Sequence, residues 1–185
     1  MLMDTRSVVV PRYTVEEIES WPDDGNRYEL LDGILLVTPS PGPIHQLVAA
    51  ELVRILGAFL DPWPWCVISA PGVIIRPPKT ELQPDLLVFR KPPGRFKWEA
   101  VQEHLLAVEI MSRSTRIYDR DFKRPAYLAL GVEEVWRVNP DERVVFVSRT
   151  GGPPDRPHRD HILWSPAALG RQFTVSLDRI FRGID

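Results

Sequence analysis

The sequence contains very little cysteine and no long uninterrupted apolar run. Its single cysteine, Cys66, excludes an internal disulfide framework and a zinc site built from several cysteines. Residues 1–11 lack the apolar core and cleavage site of a signal peptide, so we expect no secretory leader. The apolar stretch of residues 47–60 is interrupted by Glu51 and Arg54, which argues against a transmembrane span. We therefore expect a cytoplasmic protein with no membrane partner.

The sequence also lacks an excess of charge of either sign. Its 23 Lys and Arg residues and 25 Asp and Glu residues give a formal net charge of −2. This balance argues against a general nucleic-acid coat protein, because such proteins are normally basic, but it is compatible with a locally basic groove. With 185 residues, of which 44% are hydrophobic, the chain has the size and composition of one globular domain. We expect that single domain to span residues 1–185.

Two short apolar runs, each carrying one carboxylate, form the centre of the predicted fold. Residues 83–89 contain Asp85, and residues 105–111 contain Glu109. Both faces of the second run are apolar, which indicates an interior β-strand. A carboxylate buried there costs several kcal/mol, of the order seen for unpaired buried charges, unless it is paired or bound to a metal. Two such groups on neighbouring strands favour a cation between them, so we regard this as a candidate divalent-metal site.

Hydrophobic periodicity and turn signals predict helices and strands in alternation along the chain. A capping box at Thr14 to Glu17 opens a short helix, and Asp32-Gly33 marks the turn of a β-hairpin over residues 27–37. We expect a long helix over residues 44–60, and a second helix that begins after residues 112–115 and runs to Leu130. The other predicted strands are residues 65–69, 73–76, 83–89, 105–111, 134–138 and 143–148, and the tail adds at most a strand and a short turn. This order predicts an α/β sandwich with a mixed central sheet flanked by helices.

The long helix and the segment before the second helix carry further candidate groups. The apolar stripe predicted for the long helix consists of Ile44, Leu47, Val48, Leu52, Ile55, Leu56 and Phe59. His45 lies close to that buried face. The segment 113–124 holds five basic residues and two acidic ones, which suits a polyphosphate backbone or a salt-bridged surface helix.

Each candidate residue also has an ordinary structural interpretation. Asp85 alone would be a strand-entry residue, and Glu109 would form a buried salt bridge with Arg116 or Lys123. Lys123, one of only four lysines in the sequence, would be a solvated helix residue. His45 would be a hydrogen-bonded histidine at a helix start, and Glu29 an exposed strand residue. The functional alternative brings the Lys123 ammonium back to the strand ends, beside the two carboxylates.

Several segments share their order and spacing with one known family. They are Tyr28-Glu29-Leu30-Leu31-Asp32-Gly33, His45, Gln83-Pro84-Asp85-Leu86, Val108-Glu109-Ile110-Met111-Ser112-Arg113-Ser114-Thr115, Asp119 through Lys123 to Tyr127, and Gly131-Val132-Glu133-Glu134-Val135-Trp136. Together they resemble the Uma-two-like restriction-endonuclease family of the PD-(D/E)XK nuclease superfamily. The resemblance covers residues 28–140.

The resemblance implies a restriction-endonuclease-like core with the N-terminal β-hairpin as an addition. It also implies hydrolysis of phosphodiester bonds with Mg²⁺, for which Mn²⁺ is the expected substitute. Asp85 and Glu109 match the acidic metal ligands, with the Ile110 carbonyl as a further ligand. Met111 stands where the superfamily has its lysine, and the family instead has a lysine in the following helix, here Lys123. Glu29 and His45 match two further positions of the family site.

The expected function is that of a Mg²⁺-dependent endonuclease that cuts DNA by attack of water. Asp85 and Glu109 would hold the metal, Lys123 would position or activate the water, and Glu29 and His45 would support the site. We expect a homodimer, because two subunits would be needed to cut both strands. Two other functions stay open: a catalytically inactive nucleic-acid-binding or interaction module on the same fold, and a phosphatase that uses the same metal chemistry.

Overall fold

The computed structural model describes residues 10–38, 40–112, 119–152 and 155–184. The strands, in chain order, are β1 Arg27–Leu31, β2 Ile34–Thr38, β3 Cys66–Ser69, β4 Ile74–Arg76, β5 Thr80–Leu82, β6 Leu86–Arg90, β7 His104–Ile110, β8 Val132–Asn139, β9 Val144–Arg149, β10 Arg156–His158, β11 His161–Trp164 and β12 Phe173–Ser176. The helices are α1 Val15–Glu19, α2 Pro43–Leu60, α3 Arg124–Ala129 and α4 Leu177–Ile180. A π-helical turn, Asp119–Lys123, leads directly into α3.

The central sheet places β7 in its interior. Within the described residues it has six strands in the order β10-β9-β8-β7-β6-β3. All seven residues of β7 are buried, as expected for a run that is apolar on both faces. β7 and β8 pair in parallel, whereas β6 and β7 are antiparallel, so the predicted mixed sheet is present. Parallel neighbours need a crossover connection, and α3 lies in it.

Two hydrophobic layers cover the two faces of this sheet. On one face α2 buries a stripe that packs against the apolar side chains of β6, β7 and β8; its members are Val48, Leu52, Ile55, Leu56 and Leu60. The β11–β12 hairpin and α4 close the same layer. On the other face α3 packs through Tyr127, and Leu36, Ile74 and Leu82 of a second sheet join it. The carboxylate of Glu109 lies in this second layer, where Tyr127 and Lys123 contact it.

The second sheet carries Glu29 into the interior. It has four strands within the described part, in the order β2-β1-β5-β4, so β1 lies between β2 and β5. The β1–β2 hairpin turns at Asp32 and Gly33, both with positive φ, as the predicted two-residue turn requires. The capping box that opens α1 is also confirmed, with the Thr14 side chain bonded to the Glu17 backbone and the Glu17 side chain to the Thr14 backbone.

Several sequence predictions about elements need correction. Ile44 and Leu47 are each 48% exposed instead of buried, because the buried stripe of α2 begins at Val48 and its first turn borders a surface cavity. Strand β5 was not predicted, since it is only three residues long and has Glu81 at its centre. The tail holds more than a strand and a short turn, because β10 extends the central sheet and the β11–β12 hairpin with α4 covers its core.

The long helix predicted over residues 44–60 is present as α2, and the predicted second helix is described only in part. The first part of the predicted second helix, residues 113–118, lies outside the described residues. Its described part ends before Gly131, whose φ is +88°. By length and composition alone α2 would be long and apolar enough to cross a membrane, a test that the core helix of a globular domain also passes.

Candidate active site

The structure brings Asp85, Glu109, Lys123, Glu29 and His45 into one connected network of charged side chains. Three carboxylates and their basic partners meet where the middle of β1 lies beside the start of β6 and the end of β7. The ordinary interpretations of Lys123 as a solvated residue and of Glu29 as an exposed one are wrong, since these residues are 1% and 0% exposed.

Asp85 is held by three hydrogen bonds at the start of β6. Its Oδ2 accepts the backbone N–H of Ile110 at 2.8 Å and Nε2 of His45 at 2.9 Å. Its Oδ1 accepts Nη1 of Arg27 at 3.0 Å. The bond to Ile110 joins the start of β6 to the end of β7, one residue after Glu109. Asp85 is therefore more than a strand-entry residue.

Glu109 lies in the deepest part of the network. Its Oε1 accepts the Tyr127 hydroxyl at 2.5 Å and the Lys123 ammonium at 3.3 Å. The predicted alternative of a buried Glu109–Lys123 salt bridge is thus present; Arg116, the other partner considered, lies outside the described residues. Because Lys123 also contacts a second carboxylate, the pair belongs to a larger cluster.

Glu29 completes the surroundings of Lys123. The ammonium donates to Glu29 Oε2 at 2.6 Å, and Glu29 Oε1 accepts the backbone N–H of Gln83 at 2.7 Å. Gln83 is two residues before Asp85, so Glu29 ties the second sheet to the entry of β6. Lys123 is placed by the π-helical turn that precedes α3.

Two residues of this site were not singled out from the sequence. Arg27 stands two positions before Glu29 in β1, a spacing that puts both side chains on the same face of a strand. Tyr127 stands four positions after Lys123, a spacing at which helical side chains are neighbours. These spacings were the available signals, but they do not by themselves identify hydrogen-bond partners.

Electrostatics in the network keep the charged forms in place. Burial disfavours the charge on Arg27, but the nearby carboxylates of Asp85, Glu109 and Glu29 outweigh it and raise the pKa of the guanidinium. Burial would likewise raise the pKa of Asp85. The hydrogen bond from His45, the charges on His45 and Arg27 and the Ile110 N–H outweigh that effect, so the pKa of Asp85 is lowered.

The network is reached from solvent on the Asp85 side. A cavity of about 350 Å³ is lined by Asp85, His45 and Arg27, together with the turn at Pro71 and the loop at Ser40. Lys123 and Glu29 lie behind these residues and do not line it. A larger cavity of about 500 Å³ lies in the C-terminal part, around Arg156 and His161, and contains no member of the network.

The oxygen atoms of the network match the chemistry of a hard divalent cation. Among the described residues there is no group of three or more His, Cys, Asp or Glu side chains arranged to hold a metal. Mg²⁺ does not need one, since it binds through one or two carboxylates and keeps several waters. Asp85 and Glu109 supply two carboxylates, at the start of β6 and near the end of the adjacent β7, and the predicted further ligand is the carbonyl of Ile110, the residue after Glu109. The donor set therefore fits Mg²⁺.

Comparisons with known proteins identify the family and the fold. The model of the family described as "Uma2: Putative restriction endonuclease" matches residues 15–177, a longer stretch than the predicted 28–140. A crystal structure from Anabaena variabilis ATCC 29413, described as a putative nuclease belonging to DUF820, is similar with a TM-score of 0.69 and 18% identity. The similarity covers 91% of this chain and 97% of that one. No curated protein matches. The predicted restriction-endonuclease-like α/β core is confirmed.

Proposed function

Because the chain belongs to the Uma2 family of restriction-endonuclease-like proteins, we propose that it is a Mg²⁺-dependent endonuclease that hydrolyses DNA phosphodiester bonds. The observation that carries this proposal is the position of the Lys123 ammonium, 2.6 Å from Glu29 and 3.3 Å from Glu109, behind the Asp85 carboxylate that lines the cavity. Two acids that could hold a metal ion and one buried amine are suited to phosphodiester hydrolysis by a metal-activated water.

Asp85, Glu109 and the Ile110 carbonyl would hold the metal. A bound Mg²⁺ supplies a polarised phosphoryl oxygen and a water of lowered pKa. The Ile110 N–H bond to Asp85, 2.8 Å long, keeps this carboxylate at the end of β7 beside Glu109. The Tyr127 hydroxyl holds Glu109 in a defined orientation.

Lys123 would orient the attacking water and stabilise the charge that develops on the phosphoryl group. Glu29 fixes the position of the ammonium, since its second oxygen is itself anchored by the Gln83 N–H. His45 lines the cavity at the Asp85 side, where its imidazole would contact the phosphate or carry a proton away.

We further propose DNA as the partner, Mn²⁺ as a working substitute for Mg²⁺, a homodimer for cutting both strands, and a cytoplasmic location. The open side of the cavity, where Arg27 and His45 lie, is suited to an anionic backbone. One observation favours the rival non-catalytic module: Asp85, Glu109 and Glu29 already have basic partners within the protein.

The direct test is a cleavage assay on plasmid and single-stranded DNA with Mg²⁺, Mn²⁺ or EDTA. We expect the parent to nick plasmid with either metal, and Asp85→Asn and Glu109→Gln to lose about 100-fold or more of that rate. Glu103→Gln is the matched control. Glu103 is an exposed carboxylate paired with Arg90, and it directly precedes β7, at the opposite end of that strand from Glu109. The control should cut as the parent does.

Three outcomes would replace the proposal. DNA binding without cleavage in either metal would select the inactive binding module. Faster hydrolysis of a phosphate monoester than of polynucleotide would select the phosphatase. Full activity in Glu109→Gln would show that the reaction takes place elsewhere on the protein.

A further inference from the structure

Arg27 is a permanently charged residue at the point where the cavity reaches the network. Its Nη1 lies 3.0 Å from Asp85 Oδ1 and its Nε lies 4.0 Å from Glu29 Oε2. Nε also donates to Thr38 Oγ1 at 3.2 Å, so the guanidinium is held from the β2 side as well. Its side chain is 23% exposed and lines the 350 Å³ cavity. Arg27 thus occupies the solvent side of the carboxylates that are suited to a metal.

The charge balance of the network leaves little room for an added divalent ion. Among the described residues, three carboxylates face the permanent cations Arg27 and Lys123, with His45 as a third basic group. A divalent ion held by Asp85 and Glu109 would add two positive charges beside the carboxylates that Arg27 and Lys123 contact. Like charges repel more strongly in a partly buried site than in water, because the site screens them less. Binding of the ion therefore favours the departure of a positive group.

The hydrogen bonds of Asp85 show which group can leave. The Ile110 N–H belongs to the backbone at the end of β7 and stays in place. Lys123 is 1% exposed and is held by two carboxylates, neither of which is Asp85. Arg27 is bonded to Asp85 directly and has the open cavity beside it. It is more exposed than Lys123, and its side chain is 23% exposed against 15% for His45, the other basic side chain bonded to Asp85.

We propose that Arg27 is a displaceable counter-cation, which holds Asp85 in the absence of metal and is released into the cavity when a divalent ion binds. Arg27 then sets the concentration of divalent ion at which the site fills. The inference rests on the proposed function for the location of the metal, at Asp85 and Glu109. Arg27 is a positioning residue here, because it acts through Asp85.

The first test measures metal binding without DNA. Mn²⁺ is titrated into the parent, Arg27→Met, Arg27→Gln, Arg27→Lys and Arg90→Met, and the dissociation constant is read by electron paramagnetic resonance and calorimetry. We expect about tenfold tighter binding in both neutral variants, as loss of one nearby positive charge predicts. Arg27→Lys restores the charge and should bind nearly as the parent does. Arg90→Met is the matched control, since Arg90 forms an exposed pair with Glu103, and should equal the parent.

The second test needs no neutral variant and so does not depend on how well one folds. In the parent, the Nε–H resonance of Arg27, assigned by its absence in Arg27→Lys, is followed by NMR during a Mg²⁺ titration. We expect it to move towards the position of exposed arginines as the Ile110 amide reports binding. An Arg27 resonance that stays in place while the Ile110 amide shifts overturns the inference.

The outcomes separate this inference from the proposed nuclease. Tighter Mn²⁺ binding in the neutral variants, with plasmid left intact by every protein, supports the counter-cation and removes the nuclease. Unchanged or weaker binding in the neutral variants, with plasmid cut by the parent, overturns the counter-cation and leaves the nuclease. Absence of Mn²⁺ binding in the parent and in both neutral variants overturns both.

Discussion

At the scale of single residues, the Tyr127 hydroxyl donates a short hydrogen bond, 2.5 Å long, to Oε1 of Glu109. Hydrogen bonds to a buried carboxylate are stronger than those between neutral groups, because the charge is not shared with water. Tyr127 also fills the apolar layer between α3 and the central sheet. Its ring and its hydroxyl therefore have separate roles, and the second can be removed without the first.

We predict that Tyr127→Phe lowers the free energy of unfolding by about 1–3 kcal/mol, the cost of depriving a buried charged acceptor of one donor. The measurement is urea unfolding of the parent and the variant. Tyr13→Phe is the control, because Tyr13 is packed against Trp21 but is only half-buried. A Tyr127→Phe midpoint equal to that of Tyr13→Phe would contradict the role assigned to the hydroxyl.

At the scale of elements, the connection between β3 and β4 is pressed against β6. A Cβ atom added at Gly72 would lie 2.2 Å from Cβ of Leu87, closer than real Cβ atoms come to their neighbours. The Gly72 N–H also donates to the Pro84 carbonyl at 3.0 Å, one residue before Asp85. Gly72 is thus required for the close approach that fixes the entry of β6.

We predict that Gly72→Ala lowers the free energy of unfolding by about 2 kcal/mol or more, because the atom it meets belongs to the stem of Leu87 and cannot swing away. It should also weaken Mn²⁺ binding, since Asp85 follows the displaced segment. Thermal and urea unfolding give the first value and Mn²⁺ titration the second.

Gly57→Ala is the opposite case and the natural control. Gly57 lies inside α2 with no atom near the added Cβ, so alanine should stabilise the helix by about 0.5–1 kcal/mol. A Gly72→Ala protein as stable as Gly57→Ala would show that the close packing of β6 is not needed.

The elements also show what could be predicted from the sequence. β7 could be predicted because a short run that is apolar on both faces is typical of an interior strand. The Asp32-Gly33 turn could be predicted because a two-residue hairpin turn needs positive φ angles, which Asp and Gly adopt readily. β5 and β10 are three residues long, too short for a period to appear. Periodicity predicted the apolar stripe of α2, but it could not show how much of that stripe packs against the rest of the protein. Ile44 and Leu47 belong to the stripe and are nevertheless exposed.

For the site, the two apolar runs pointed to Asp85 and Glu109, the resemblance matched both of them together with Lys123, Glu29 and His45, and the structure joins all five. Their catalytic roles stay predictions. Arg27 could not be assigned in advance, because its partner Asp85 is 58 positions away and belongs to the other sheet. Contacts between sheets depend on how the layers stack, which local patterns do not contain.

At the scale of the whole molecule, His104 links stability to pH. It opens β7 and is 2% exposed, and its Nδ1 has no hydrogen-bond partner among the described residues. Burial, with a smaller effect from the charge on Arg76, lowers the pKa of His104 from 6.5 to about 4. The folded protein therefore keeps this histidine neutral over a range in which the unfolded chain binds a proton.

The sign follows from that difference in proton binding. Above pH 6.5 His104 is neutral in both states and has no effect; from pH 6.5 down to about 4 the unfolded chain gains a proton and stability is lost. As the pH falls through this range, the free energy of unfolding should decrease less in His104→Leu than in the parent. We predict that the difference between the two decreases reaches up to about 3 kcal/mol. Urea unfolding at several pH values from 7.5 to 4 measures it. Parallel curves for parent and variant would contradict the lowered pKa.

The bond between Glu29 and Lys123 joins positions 94 residues apart. Closing so long a loop costs conformational entropy before the contact repays it. Without Glu29, the Lys123 ammonium would be enclosed between α3 and β7 with its charge only partly compensated, by Glu109. The last layer to dock during folding is therefore expected to be the N-terminal hairpin, and protease nicking of that hairpin, ahead of the rest of the chain, would be the visible sign of this late step.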